Sequence, residues 1–382
     1  MFRYAALLLL LAITSAPGTL LWEARPGGRD FGGLAESAGI LTAGNITSQG
    51  GIFAFSSDSG KVLWSHRGEQ LRGGTASDAQ RVFAVFDAST GNRLAAFDLK
   101  AGKQLWTTAT DGKLGGDFPP IVDSGRVYLM NRDGFLDAYD AATGNRLYRF
   151  AYAPEDPECP SGQALANNRL FFGGGQHDGS HSPGKFLWAI NPTTGKELWK
   201  YQTHLIASYI SECFSTPAVS SDTVVVTSSN SIFALCASTG VLLWSRKSEG
   251  VSGGYPKPYP LSAPTIVNGV VYAARNGAID SWNLSDGKPL PSFPVELGSD
   301  AVRAHLYASG NTLFFIGNIA SDTDKPDRHP LHAMDTLTHK ILWTHRVNRE
   351  VRYIEDWTTD EILVTQTAVY YENNSLIAKV AR

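Results

Sequence analysis

Arg303 and His305 stand two residues apart, and Arg352 is followed closely by Glu355 and Asp356. With Asp30, Arg72 and Asp117 they make a set able to grip an organic ligand bearing an anionic or carbonyl group. In such a site Arg303 and Arg352 would stabilise developing negative charge, while His305, Asp117 or Glu355 would shuttle protons. Asp30, Arg72, Arg303, Arg352 and Asp356 read as ligand-binding, and His305, Asp117 and Glu355 as the catalytic candidates. A ring of solvated structural ion pairs accounts for the same residues without any ligand. Either way they are scattered along the chain, so only a fold that returns repeatedly to one place can unite them.

A repeat supplies that return. Ala189–Trp199, "AINPTTGKELW", recurs as Ala54–Trp64, Ala96–Trp106, Ala138–Tyr148, Ala234–Trp244, Ser281–Pro291 and Ala333–Trp343. The spacing of roughly forty to fifty residues is that of an array of small supersecondary units. "PPIVDSGRVYLMNRDGFLDAYDAATGNRLY" displays one whole unit, whose alternating apolar positions and polar turns read as a four-stranded antiparallel meander. Gly60, Gly102, Gly144, Gly195, Gly240 and Gly287 suit the positive φ of a tight hairpin. Asp98, Asp140, Asn191, Asn283 and Asp335 can accept hydrogen bonds from the turn backbone. The tryptophan brings a large apolar plate and an N–H that needs an acceptor.

Trp22 ends a strand whose unit has no beginning, and the stretch after Tyr353 supplies three strands but no fourth. Ala378 then serves as the alanine and Trp22 as the tryptophan of one composite unit. Seven complete units and this composite predict an all-β, eight-bladed ring of four-stranded blades, closed by pairing of the two termini. With Ile121 as reference, the inner-strand equivalents read Leu34, Ala76, Ala164, Ala218, Ile266, Tyr307 and Asp356. Four or five residues earlier stand Asp30, Arg72, Asp117, Pro160, Phe214, Leu261, Arg303 and Arg352, a funnel with one charged and one apolar wall.

The A-x-D-x-x-T-G-x-x-L-W pattern resembles the repeat of the PQQ-like propeller superfamily over essentially the whole chain. That group includes quinoprotein alcohol dehydrogenases and the outer-membrane-assembly propeller lipoprotein of Gram-negative bacteria. The dehydrogenase branch implies PQQ and a calcium-type cation held by carboxylates such as Asp117, Glu355 and Asp356. No Cys-Cys pair of that branch is present, so no motif supports either cofactor. The assembly branch implies a scaffold that grips protein, although a lipid-attachment cysteine is missing near the leader. The readings therefore remain three: a binding module for a small organic ligand or a protein partner, a cofactor-free enzyme on a secreted metabolite, and a PQQ-dependent dehydrogenase.

Composition narrows the setting. The 382 residues are 43% hydrophobic and 18% charged with a net charge of -3, which gives no reason to expect nucleic acid or an anionic membrane as partner. "MFRYAALLLLLAITSAPG" has the layout of a signal peptide over residues 1–18, cut after Ala16 or Gly18, followed by a single domain over 19–382. A monomer that is secreted or periplasmic is expected. Cys159 and Cys213 occupy matching places in adjacent units and are candidates for a disulfide, while Cys236 reads as an inert core thiol. Asn45, Asn283 and Asn373 open glycosylation sequons. His177, Asp178 and His181, and likewise Asp322, Asp324 and Asp327, are weak metal sets on polar insertions.

Overall fold

The computed structural model describes residues 15–27, 31–45, 50–87, 92–110, 119–131, 133–153, 157–158, 161–176, 184–202, 214–228, 231–247, 261–275, 278–295, 306–316, 330–346, 362–373 and 376–382. Its strands form eight antiparallel sheets, each a blade of the expected ring. Blade 1 runs Phe31–Ser37, Ile40–Asn45, Gly51–Ser56 and Val62–Arg67 from the inside outward, and the next six repeat that order. Blade 4 adds the short segment Pro157–Glu158, paired with Gln176 and Gly175. Blade 8 takes Ile362–Val364, Ala368–Asn373 and Leu376–Ala381 from the C-terminal end and Leu20–Ala24 from the N-terminal end.

Apolar residues on both faces of a blade need apolar neighbours, and the ring supplies them. Ile52, Ala54 and Ile40 of blade 1 pack with Val82, Phe86 and Phe97 of blade 2. Ile377 and Tyr370 of blade 8 pack with Leu41 and Phe53 of blade 1, so burial is continuous through the closing seam. The core is thus a ring of interfaces between blades, not a single central mass.

The repeated motif is the clamp between blades. Trp64 Nε1 donates to the Leu99 carbonyl of the next blade at 2.9 Å, and Trp22, Trp106, Trp199 and Trp244 donate to Ser57, Ala141, Ala237 and Leu284 in the same way. Each ring lies over the turn glycine of that next blade: a Cβ on Gly102 would stand 2.5 Å from Trp64 Cδ2, and one on Gly240 2.7 Å from the same atom of Trp199. Those glycines also take positive φ, 67° at Gly102 and 74° at Gly240. Glycine is therefore required twice, by the turn and by the ring above it.

Blade 6 breaks the pattern and explains an exception. Its tryptophan position holds Pro291, and the turn of blade 7 holds His339 at φ 54° where the others hold glycine. With no indole overhead, a side chain fits there, and Tyr272 Oη donates to the Thr336 carbonyl that the missing tryptophan would have used, at 3.2 Å.

Three inner-strand positions are shifted from the expected register. The pairings Ala35↔Thr42, Thr265↔Tyr272 and Leu363↔Tyr370 match Ile121↔Tyr128, so the column runs through Ala35, Thr265 and Leu363 instead of Leu34, Ile266 and Asp356. A bulge between Gly32 and Ala35 accounts for the first. In blade 8 the apolar run Ile362–Val364 forms the inner strand, and Arg352, Glu355 and Asp356 lie outside the described residues.

Candidate binding face

The strand order gives the ring two unlike faces. On one lie the inner hairpins, such as Ser124-Gly125 and Asn268-Gly269, and the Thr-Gly turns. These are short and pinned. Asp98 Oδ1 accepts from Lys100 N and Ala101 N at 3.0 and 2.6 Å, and Asn191 Oδ1 accepts from Thr193 N and Thr194 N at 2.9 and 3.0 Å. Bonds from the Thr143 hydroxyl and nearby backbone N–H groups hold the Asp140 carboxyl below its ordinary value, and similar bonds from Thr338 do so for Asp335. The turn is thus a small anion-stabilising frame repeated around the ring.

The other face carries the connections between blades and those between second and third strands. They range from the tight Asn373–Leu376 link to the long stretches 248–264 and 346–361. Asp30, Asp117, Arg303, His305, Arg352, Glu355 and Asp356 lie outside the described residues, as do Cys159, Cys213, His177, Asp178, His181, Asp322, Asp324 and Asp327.

Arg72 is described, and it is exposed. Its Nε donates to Asp87 Oδ2 at 2.9 Å and its Nη2 bonds the same oxygen. An exposed pair of this kind contributes little to stability and leaves a cation at the mouth. By strand pairing Leu71, opposite Phe86, matches Phe31 opposite Asn45 and Phe214 opposite Ser228. That column holds Phe31, Leu71 and Phe214, all buried, as is Leu261 before the inner strand of blade 6. Arg72 stands one residue further along. The apolar wall is therefore present, and it reaches blade 1, where Asp30 had been expected.

Glycines bring blades 1 and 2 unusually close at this mouth. A Cβ on Gly33 would stand 2.3 Å from Thr75 N, and one on Gly74 would stand 2.4 Å from Gly33 Cα. Thr75 Oγ1 donates to the Gly33 carbonyl at 2.6 Å and lies 3.2 Å from Thr42 Oγ1. Blades 4, 5 and 6 use serines instead. Ser161, Ser215 and Ser262 accept on Oγ from the N–H groups of Gly173, Thr227 and Ala274 at 2.6, 3.0 and 2.9 Å, fixing where each loop enters its inner strand. Sequence reading passed over these positioning residues, although "STPAV" and "SAPTIV" repeat the serine at one offset.

Beside the blade 1–2 seam, Glu69 bridges His66 Nε2 at 2.7 Å and Arg93 Nη2 at 2.5 Å, while Arg93 lies over the Phe86 ring. Partial burial opposes ionisation of Glu69, but bonds from Arg93 and His66 outweigh it and lower its pKa. Among the described residues no group of three or more His, Cys, Asp or Glu is arranged to hold a metal ion. Asp117, Glu355 and Asp356, the carboxylates that the resemblance implies for a cation, lie outside those residues.

Cys236 is not the core thiol expected. It stands half-exposed where five other turns place Asp or Asn, 3.1 Å from Ser238 Oγ and 3.3 Å from Asp222 Oδ2, and the Ser238 contact leads in lowering its pKa. Of the sequon residues, Asn45 is buried, and Asn283 Oδ1 accepts from Ser285 N and Oγ at 2.9 Å each within its turn. Asn373 ends a strand of blade 8.

The closing seam contains a titratable group. His345 Nδ1 lies 3.2 Å from the Gly18 carbonyl and Nε2 lies 3.1 Å from Tyr371 Oη. Since a carbonyl only accepts, Nδ1 carries the proton and Nε2 accepts from the tyrosine in the neutral form. Burial depresses the His345 pKa, outweighing the Gly18 carbonyl and Glu23, which act the other way. A depressed histidine favours the fold fully above its unfolded value of about 6.5 and loses that advantage as pH falls toward the folded value. Melting temperature should therefore drop on acidification more steeply in the wild type than in His345→Asn; parallel pH profiles would remove His345 as the cause.

No helix of the described residues is long and apolar enough to cross a membrane. No curated protein matches the chain. Solved structures do. BamB from Moraxella catarrhalis is 15% identical with a TM-score of 0.56, covering 78% of this chain and 84% of that one. A quinohemoprotein alcohol dehydrogenase from Pseudomonas putida HK5 is 14% identical with a TM-score of 0.65, covering 97% and 78%. Sqt1 of Saccharomyces cerevisiae is 12% identical with a TM-score of 0.69, covering 96% and 99%. At these identities the likeness is one of fold. The family model described as outer membrane protein assembly factor BamB, however, matches residues 48–292, most of the ring, and the chain belongs to that family of PQQ-like repeat propellers.

Proposed function

We propose that the protein is an exported scaffold propeller that grips a protein partner through its variable-loop face. The observation that supports this most is the confinement of length and sequence variation to that face, while the opposite face repeats one pinned turn. The family description, an outer membrane assembly factor, agrees with a scaffold working beyond the inner membrane. Phe31, Phe214 and Leu261 give the mouth an apolar floor, and Arg72 gives it a charged rim, a combination common at protein interfaces.

The test is crosslinking and mass spectrometry of the natively expressed protein, beside a variant in which residues 248–260 are replaced by a short Gly-Asn turn. The variant is expected to lose the crosslinked protein while melting within about 3 °C of the wild type, a shift worth roughly 1 kcal/mol. Arg303→Ala combined with His305→Ala should leave capture intact. A quinone absorbance with bound calcium, or a turnover abolished by that double substitution, would refute the scaffold reading.

A further inference from the structure

We propose that the outer edge of blade 5, Leu242–Lys247, is a second docking surface, which takes an extended, acid-headed segment of another protein as an added strand. This surface is independent of the variable-loop face. Every blade ends in an outer strand paired on one side only, so every blade offers an open edge. Such edges attract other chains unless charge or proline blunts them, and six of the eight carry such a device directly after the turn.

The residue after the turn is Lys61 in blade 1, Lys103 in blade 2, Lys196 in blade 4 and Lys340 in blade 7, and blade 3 has Asn145-Arg146. Blade 6 follows Lys288 with Pro289, Pro291 and Pro294, which cannot donate to a ladder. Blade 8 exposes Leu20 and Leu21 but places Glu23 beside Trp22. Blade 5 likewise has no charge or proline between its turn and Trp244, and the charges on its strand, Arg246 and Lys247, are cations where blade 8 has an acid. Val241, Leu242 and Leu243 follow its turn directly and are 60%, 40% and 51% exposed.

The chemistry of the occupant follows from the edge. A bulge between Trp244 and Leu242 sets the aliphatic residues apart from the regular ladder, which runs from Trp244 to Lys247. An added strand would pair along that ladder and seat its apolar end on Val241 and Leu243. At the other end Arg246 is held by the Ser245 and Asp286 carbonyls, each at 2.7 Å, and Lys247 is exposed beside it. These two cations call for carboxylates. An antiparallel partner, continuing the pattern of the sheet, would therefore begin acidic and end aliphatic.

Fluorescence anisotropy with a short labelled peptide of two aspartates, alternating valine and threonine, and terminal leucines tests this. Saturable binding is expected, at least about tenfold weaker in Val241→Lys with Leu243→Lys, and about tenfold weaker for a peptide headed by lysines. Peptide should also slow amide exchange in residues 244–247. Both substitutions are at exposed positions, and coincident melting curves would establish that the fold is kept. Absence of saturable binding, binding indifferent to the substitutions, or equal binding of the lysine-headed peptide would overturn the proposal. So would a wild-type dimer that the double substitution dissolves, since the edge would then be occupied by a second copy of the chain.

Discussion

Gly102→Ala is expected to cost about 3 kcal/mol of stability, while Gly125→Ala costs about 1 kcal/mol. Both glycines have positive φ, 67° and 75°, so both substitutions place an L-residue in the left-handed region. Only the first adds a collision. A methyl on Gly102 meets the Trp64 indole at 2.5 Å, whereas nothing lies within 4 Å of one on Gly125. Relieving the overlap moves the ring and strains the 2.9 Å bond from Nε1 to Leu99 O, so two blades lose their clamp together. Denaturant midpoints of the two variants measure the difference directly. His339→Gly supplies the converse, because no indole covers that turn: relaxing its φ of 54° should be neutral or stabilising by up to about 1 kcal/mol. Equal losses at Gly102 and Gly125 would refute the stacking account.

That contrast shows what the sequence could disclose. The repeat carried its own geometry: the turn glycine and the tryptophan marked each unit, and eight units followed once the two termini were joined, although Lys379 and not Ala378 stands opposite Trp22, where the other units place alanine. Register was harder to read. In blade 1 the bulge at Gly33 and Leu34 adds a residue without disturbing the apolar alternation that marks a strand. In blade 8 "YIEDW" has the aliphatic and aromatic residues of an inner strand, but Ile362–Val364 is the segment that forms that strand. Cys236 was misplaced for a similar reason. Its neighbours on the strand are buried, but its own position begins the turn, where Asp222 and Ser238 face it. The candidate funnel was the least legible part. Apart from Arg72, its charged members lie outside the described residues, in stretches of sequence whose lengths follow no repeat, and a periodic argument has no hold on them.

Trp22→Ala should be among the most damaging single changes in the chain, costing about 4 kcal/mol and opening the ring. Like the other tryptophans it clamps two blades that the chain also connects, here blade 8 to blade 1. Its strand Leu20–Ala24, however, has no covalent link to Leu376–Ala381 beside it, and its ring also lies against Tyr370 of the C-terminal part of blade 8, 6.0 Å between centroids. Its Nε1 donates to Ser57 O at 2.9 Å, and Gly60 lies beneath its ring. Around it, Gly18 N donates to Ala381 O at 2.8 Å, Ala381 N to Thr19 O at 2.9 Å, and Lys379 Nζ to Ser57 O at 2.8 Å. The Trp343 ring in turn covers Gly18, so a chain beginning at Pro17 would keep this cover and one beginning at Thr19 would lose it. A chain lacking residues 17–25 should show a larger radius of gyration by small-angle scattering and faster proteolysis within residues 362–382. A synthetic peptide spanning 17–25 should reverse both, since the missing strand needs only to pair with Leu376–Ala381 and seat its indole on Gly60. If the truncated chain kept the scattering profile and protease resistance of the intact one, the termini would not be what holds the ring shut.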